Sequence, residues 1–223
     1  SSYWIKSQQI INLDKKVKFF KTHHALCKIN SSIFTNYENS LGVIYIVRDP
    51  RNVISSIKYH FSKENYIEAK NFLFDENKCL GKKFDETSKN KNRDMVTLIA
   101  SWKTHYNSWK NFKKNYLLIK YENLVSNPYE EFTKISEYLA KLINIKIQED
   151  KILKAVENNN FENLKKIENR DGFAEQAKDT NTGKTKSFFN LGPKNKWQEK
   201  LNIEISQSIE EKFEIEMKEL GYL

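Results

Sequence analysis

The hydrophobic pattern of this chain switches between a strand-like and a helix-like period, and it does so twice in the same order. Residues 43–47, Val-Ile-Tyr-Ile-Val, form a continuous apolar run of strand length. Asp49 and Pro50 follow as an N-cap and a first helical residue, which predicts a helix running through Phe61. Tyr116, Leu117, Leu118 and Ile119 repeat the strand. Asn127-Pro128, with Glu130 three residues past the cap, then reads as a capping box for a helix carrying Tyr129, Phe132, Ile135 and Leu139 on one face. Between these units, a helix is expected from near Asp94. Its Met95, Leu98, Ile99, Trp102, Trp109 and Phe112 recur at helical spacing, as a core stripe does. Residues 17–20 predict an earlier strand, and a closing helix places Ile205, Ile209, Phe213, Met217 and Leu220 before Gly221.

Strands alternating with helices imply an α/β fold whose central parallel sheet is covered on both faces, and 223 residues suit one domain, 1–223. In such sheets ligands bind beyond the carboxyl ends of the strands. The three predicted strands deliver Lys21-Thr22-His23, Arg48-Asp49 and Tyr121-Glu122 to their ends. Taken alone, this convergence defines a generic binding site.

Composition narrows the picture only slightly. A net charge of +9 favours anionic partners, but the lysines are spread along the chain beside Glu and Asn, as on solvated faces, so nucleic acid is not an expected partner. There is no run of about 18 apolar residues and no charged-then-apolar leader. A soluble, cytoplasmic protein without stable membrane insertion is expected. Cys27 and Cys79 lack metal-ligand spacing and read as reduced thiols, and no carboxylate cluster calls for a metal ion.

Four segments carry a resemblance to the cytosolic-type sulfotransferase family. Residues 43–61, VIYIVRDPRNVISSIKYHF, look like that family's 3′-phosphate-binding segment, and Lys21-Thr22-His23 is similar to its K-T-H motif. Residues 117–127 resemble its strand ending in Y-E, and residues 188–197 echo its F-x-x-x-G-x-x-x-x-W pattern. All four occur in the family's order.

The resemblance implies a three-layer P-loop-NTPase-like fold and a donor, 3′-phosphoadenosine 5′-phosphosulfate, whose product is adenosine 3′,5′-bisphosphate. His23 would be the general base for an acceptor hydroxyl or amine, and Lys21, on the same face, would stabilise the sulfuryl group in transit. His24 points to the other face and is the poorer candidate. Arg48 and Ser56 would hold the 3′-phosphate, helped by the dipole of the helix that follows, with Asn52 one turn before Ser56. Tyr121 would contact the adenine, and Asn159, Asn160 and Phe161 sit where the family has a polar pair and a Phe beside it. Gly192 would offer its backbone amide.

Three departures stand out. The family's P-loop-like segment, of the kind PKSGTTW, does not occur ahead of Lys21, so the chain is expected to lack the first strand–P-loop–helix unit and to be an inactive fragment. Asn190-Leu191-Gly192 replaces Arg-Lys-Gly, leaving Lys184, Lys186 or Lys194 to supply charge. The charged stretch 63–93 would border the acceptor pocket. Two alternatives stay open: a P-loop kinase-like nucleotide-dependent transferase, and a non-catalytic nucleotide-binding descendant. The acceptor, whether small molecule, glycan or lipid, is not specified by the sequence.

Overall fold

The computed structural model describes residues 1–81, 96–179 and 182–223. In chain order the elements are α1 Trp4–Ile11, β1 Lys28–Ile29, β2 Ser32–Ile33, β3 Val43–Val47, α2 Pro50–His60, α3 Tyr66–Phe74, β4 Cys79–Leu80 and β5 Thr97–Leu98. They continue with α4 Trp102–Lys110, β6 Tyr116–Lys120, α5 Tyr121–Ser126, α6 Pro128–Ile143, α7 Glu149–Asn158, α8 Phe161–Asp171, α9 Ile203–Lys212 and α10 Glu214–Glu219. The chain divides into two compact units, residues 1–43 with 74–116 and residues 44–73 with 117–223, so the division falls at the first residue of both β3 and β6.

The second unit is built on β3 and β6, which pair in a parallel sheet with helices around it, the α/β arrangement that the alternating pattern implies. Its core gathers Val47, Ile54, Ile57, Phe72, Ile119 and Ile152 with the closing helical segment's Ile205, Ile209, Phe213, Met217 and Leu220, all buried. That segment breaks at Phe213 into α9 and α10, yet the expected stripe is continuous across the break, and Gly221 ends it with φ 66°.

The first unit is smaller. Two short antiparallel pairs, β1 with β2 and β4 with β5, accompany α1 and α4, and Tyr106, Trp109 and Phe112 are buried. His24 stacks on Phe34 at 4.5 Å between ring centroids, with Trp4 edge-on at 4.9 Å.

Three sequence expectations need correction. Residues 17–20 form no strand: Val17, Phe19 and Phe20 are exposed, and among the described residues none pairs with this segment to satisfy its backbone N–H and C=O groups. The helix expected from Asp94 starts at Trp102, because Thr97–Leu98 pairs as a strand, Ala100 turns at φ 55° and the Ser101 hydroxyl caps the helix by accepting from Thr104 N–H. Asp94 and Met95, with residues 82–93 of the charged stretch, lie outside the described residues. The capping box at Asn127 is also absent: Asn127 makes no side-chain cap bond, and Glu130 instead pairs with Lys134 at 3.1 Å.

Candidate functional site

In the first unit, Lys21, Thr22 and His23 are exposed and lie in a segment without regular structure. What fixes this segment comes just after it and from one face of α4. His105 Nε2 stands 3.4 Å from the His23 carbonyl oxygen, the Ser108 hydroxyl accepts from Leu26 N–H at 3.0 Å, and Trp109 Nε1–H donates to the His24 carbonyl at 3.0 Å. Positions 105, 108 and 109 share a helix face by their spacing. The apolar spacing of this helix implies core packing alone. Trp109 is indeed buried, but beside it His105 meets the His23 carbonyl and Ser108 holds Leu26 N–H just beyond the Lys-Thr-His segment.

The three histidines of this unit differ in environment. His24 is buried, with Nδ1 2.9 Å from the Ala25 carbonyl and Nε2 3.5 Å from Leu98 N, so a neutral ring donating from Nδ1 and accepting at Nε2 satisfies both ends. Burial lowers its pKa, despite the bond to Ala25. His105 is pushed down to about 4, mainly by burial and further by His23 and His24, with the His23 carbonyl opposing. His23, by contrast, is exposed to solvent.

The second unit holds Arg48, Ser56, Tyr121, Asn159 and Gly192. The segment joining β3 to α2 behaves as the sequence predicts: Asp49 caps α2 by accepting from Arg51 N–H at 2.8 Å, and Pro50 takes the first helical position. The Asp49 carboxylate is then fully claimed by the Arg51 guanidinium, at 3.0 and 3.2 Å from Nε and 2.7 Å from Nη2. Arg51 continues to Glu210 at 2.6 Å and the Tyr222 carbonyl at 2.8 Å, with its guanidinium carbon 4.2 Å from the centroid of a Trp197 ring. At the end of β6, Glu122 accepts from Asp49 N–H at 3.0 Å and from the Tyr222 hydroxyl at 2.9 Å. Burial, reinforced by Glu122, raises the pKa of the Tyr222 phenol far above its ordinary value.

This network decides what the start of α2 offers an anion. Asn52 N–H and Val53 N–H both donate to the Asp49 carbonyl, Arg51 N–H donates to the Asp49 side chain, and Pro50 has no N–H. The first-turn amides are therefore engaged, and an anion here must be met by side chains rather than by the helix terminus. Arg48 follows β3 directly. Its guanidinium carbon lies 4.2 Å above the Tyr121 ring, the two residues arriving from the ends of adjacent strands. Ser56 is exposed on α2, two residues short of Lys58 in the helix's last turn.

Residues 186–197 run along α2 from its last turn to its first. Lys186 Nζ donates to the Tyr59 carbonyl at 2.5 Å and to Ser62 Oγ at 2.6 Å. At the other end Asn195 Nδ2 donates to the Asn52 carbonyl at 2.8 Å, and Trp197 N–H donates to Asn52 Oδ1 at 2.9 Å. Asn52 is thus committed to this segment, and Lys186, one of the candidate replacement charges, also holds Asp179 at 3.3 Å. Gly192 sits within the strap at φ 51°, where an added Cβ would lie 2.2 Å from the Phe161 ring. Phe161 opens α8 behind Asn160, whose Oδ1 accepts from Asn163 N–H at 2.9 Å, and Asn159 Nδ2 donates to the Ala155 carbonyl at 2.8 Å to finish α7.

Polar strand ends at β3 and β6, an arginine over a tyrosine and the segment through Gly192 beside α2 make up the candidate site of this α/β protein. A family model described as the sulfotransferase domain matches residues 4–221, and the chain belongs to this family. It is 24% identical over 184 residues to a 3-beta-hydroxysteroid sulfotransferase of Cavia porcellus, covering 77% of this chain and 59% of that protein. It is 27% identical over 188 residues to an amine sulfotransferase of Oryctolagus cuniculus, covering 81% and 56%. Among solved structures, mouse sulfotransferase SULT7A1 complexed with PAP matches with a TM-score of 0.55 at 18% identity, over 79% of this chain and 58% of that one, which supports the shared fold. The chain spans about half the length of the curated relatives it matches. Among the described residues, no helix is long and apolar enough to cross a membrane, and no three His, Cys, Asp or Glu side chains gather as metal ligands would.

Proposed function

We propose that this chain is the part of a sulfotransferase that binds 3′-phosphoadenosine 5′-phosphosulfate through its 3′-phosphate and carries the acceptor-activating histidine. The carrying observation is the Arg48 guanidinium carbon 4.2 Å over the Tyr121 ring while the neighbouring Asp49 is already neutralised by Arg51. A guanidinium next to an uncompensated carboxylate would be a poor phosphate ligand; here the carboxylate is taken. Ser56 adds a hydroxyl from α2, Gly192 adds backbone from the strap, and Tyr121 faces the nucleotide with its ring. Asn159 and Phe161 stand near the adenine in this reading.

The bound donor supplies a sulfuryl group joined to phosphate through a labile S–O bond. His23 accepts the proton from the acceptor's hydroxyl or amine as that atom bonds to sulfur, while the S–O bond breaks and its electron pair leaves on adenosine 3′,5′-bisphosphate. Lys21 offers positive charge to the equatorial oxygens, so that positioning and electrostatics carry the rate, as in phosphoryl transfer. Exposure suits His23 to both tasks, since a base must meet acceptor and release its proton to water.

The family match runs across both compact units, which supports reading 1–223 as one working domain. Acceptors that are small molecules with a hydroxyl or amine, and a cytoplasmic setting, follow the resemblance to cytosolic-type enzymes. Calorimetric titration with adenosine 3′,5′-bisphosphate and, separately, with ATP and magnesium tests the reading. The bisphosphate is expected to bind more tightly; preference for the triphosphate with magnesium would point to a kinase-like transferase instead.

A further inference from the structure

Glu168 is a carboxylate buried to 3% exposure near the C-terminal end of α8, and it is the meeting point of four donors. Oε1 accepts from Phe188 N–H at 2.5 Å and from Gln176 Nε2 at 2.8 Å, while Oε2 accepts from the Ser187 hydroxyl at 2.7 Å and from Phe189 N–H at 3.0 Å. Burial alone would raise its pKa, but these bonds outweigh it and the pKa is lowered, as expected of an ion stabilised by donors converging on both oxygens. Three of the four donors come from consecutive residues, 187–189, inside the strap that Lys186 ties to the end of α2 and Asn195 ties to its start. The same helix, α8, also begins with Phe161, whose ring closes on Gly192. One helix therefore touches the strap at two places, through a charge under residues 187–189 and an aromatic ring under Gly192.

We propose that Glu168 is a positioning residue for the donor site: it fixes residues 187–189 and so sets where the strap presents the Gly192 backbone beside α2. The part concerning nucleotide affinity rests on the donor-site reading above. A carboxylate is required because it accepts at both oxygens and donates nothing. A glutamine of the same shape would turn an NH2 toward two of the four donors, and an amide facing a donor in a buried place loses both bonds.

The test compares wild type, Glu168→Gln and Ser187→Ala by two readouts: amide hydrogen exchange at Phe188 and Phe189, and affinity for adenosine 3′,5′-bisphosphate beside adenosine 5′-monophosphate. Glu168→Gln is expected to speed exchange at both amides and to weaken the bisphosphate roughly tenfold, leaving the monophosphate unchanged. Ser187→Ala removes one donor and is expected to move both readouts the same way by about two- to threefold, so it carries the test if Glu168→Gln fails to fold. Protected amides in a folded Glu168→Gln overturn the anchoring role. Faster exchange with an unaltered preference for the bisphosphate reduces Glu168 to a loop anchor and overturns its part in the site. A wild type without that preference contradicts the donor-site reading and the affinity half of this proposal, while the exchange readout still decides the anchoring half.

Discussion

Around α2, in the second unit, Arg51 alone bonds the Asp49 carboxylate, Glu210 and the Tyr222 carbonyl and stacks on Trp197, and the strap is tied down at 186, 187–189, 195 and 197. In the first unit, Lys21, Thr22 and His23 are exposed in irregular chain, and what holds them is the next few residues clasped by His105, Ser108 and Trp109. The contrast fits the two chemical tasks proposed above. Reading a phosphate needs preorganised donors that cannot follow the ligand about. A general base needs a proton route and room for its acceptor, and rigidity is asked only of its backbone.

The largest way to break this contrast is Arg51→Ala. It leaves the buried Asp49 carboxylate uncompensated and the partly exposed Glu210 unpaired, and is expected to destabilise the protein by about 3–5 kcal/mol in denaturant melts. A cost under about 1 kcal/mol would mean that the network around α2 is not what holds the second unit's site. Next comes Gly192→Ala. With φ 51° and a ring 2.2 Å from the new Cβ, it is expected to cost roughly 1–3 kcal/mol, and Phe161→Ala in the same chain should recover part of the loss. Absence of recovery would remove the steric explanation.

These effects also mark what the sequence could and could not convey. Asp49-Pro50 and the apolar strands β3 and β6 were legible because capping and periodicity are local, decided within a few residues. The stripe through Ile205, Ile209, Phe213, Met217 and Leu220 was legible for the same reason, even though the helix carrying it is broken at Phe213. Residues 17–20 have strand-like composition, but a strand exists only with a partner, and pairing is not written in the segment itself. The apolar spacing around Leu98 and Ile99 imitates a helix, while the αL turn at Ala100 and the cap at Ser101 impose a later start. The sequence marks Arg48 and Tyr121 as separate ligands, and only the pairing of β3 with β6 makes them neighbours. Glu168 gave no signal at all, since its donors lie 8 to 21 residues further along the chain. His105 was hidden inside a stripe read as core.

Acid should weaken the first unit through His105. Its folded-state pKa, about 4, lies below the ordinary 6.5, so between these values the unfolded chain binds more protons. His105 therefore contributes stability that is present above about pH 6.5 and is lost as pH falls towards 4, and His24 acts in the same direction. Urea melts from pH 7 to pH 4 check this: the loss should be smaller in His105→Asn, and an identical pH profile in that variant would contradict the assignment. The smallest effect is expected where the chain is exposed. Lys21→Ala and His23→Ala should change stability by no more than about 0.5 kcal/mol, and a larger loss would show that this segment is structural after all.

The central claim, a 3′-phosphate site built on Arg48, is tested most directly by calorimetric titration of wild type and Arg48→Ala with adenosine 3′,5′-bisphosphate and adenosine 5′-monophosphate. Wild type should prefer the bisphosphate by roughly tenfold or more, the worth of one charge-assisted phosphate contact, and Arg48→Ala should bind the two nucleotides alike. Equal binding by wild type, or a preference that survives Arg48→Ala, would contradict it.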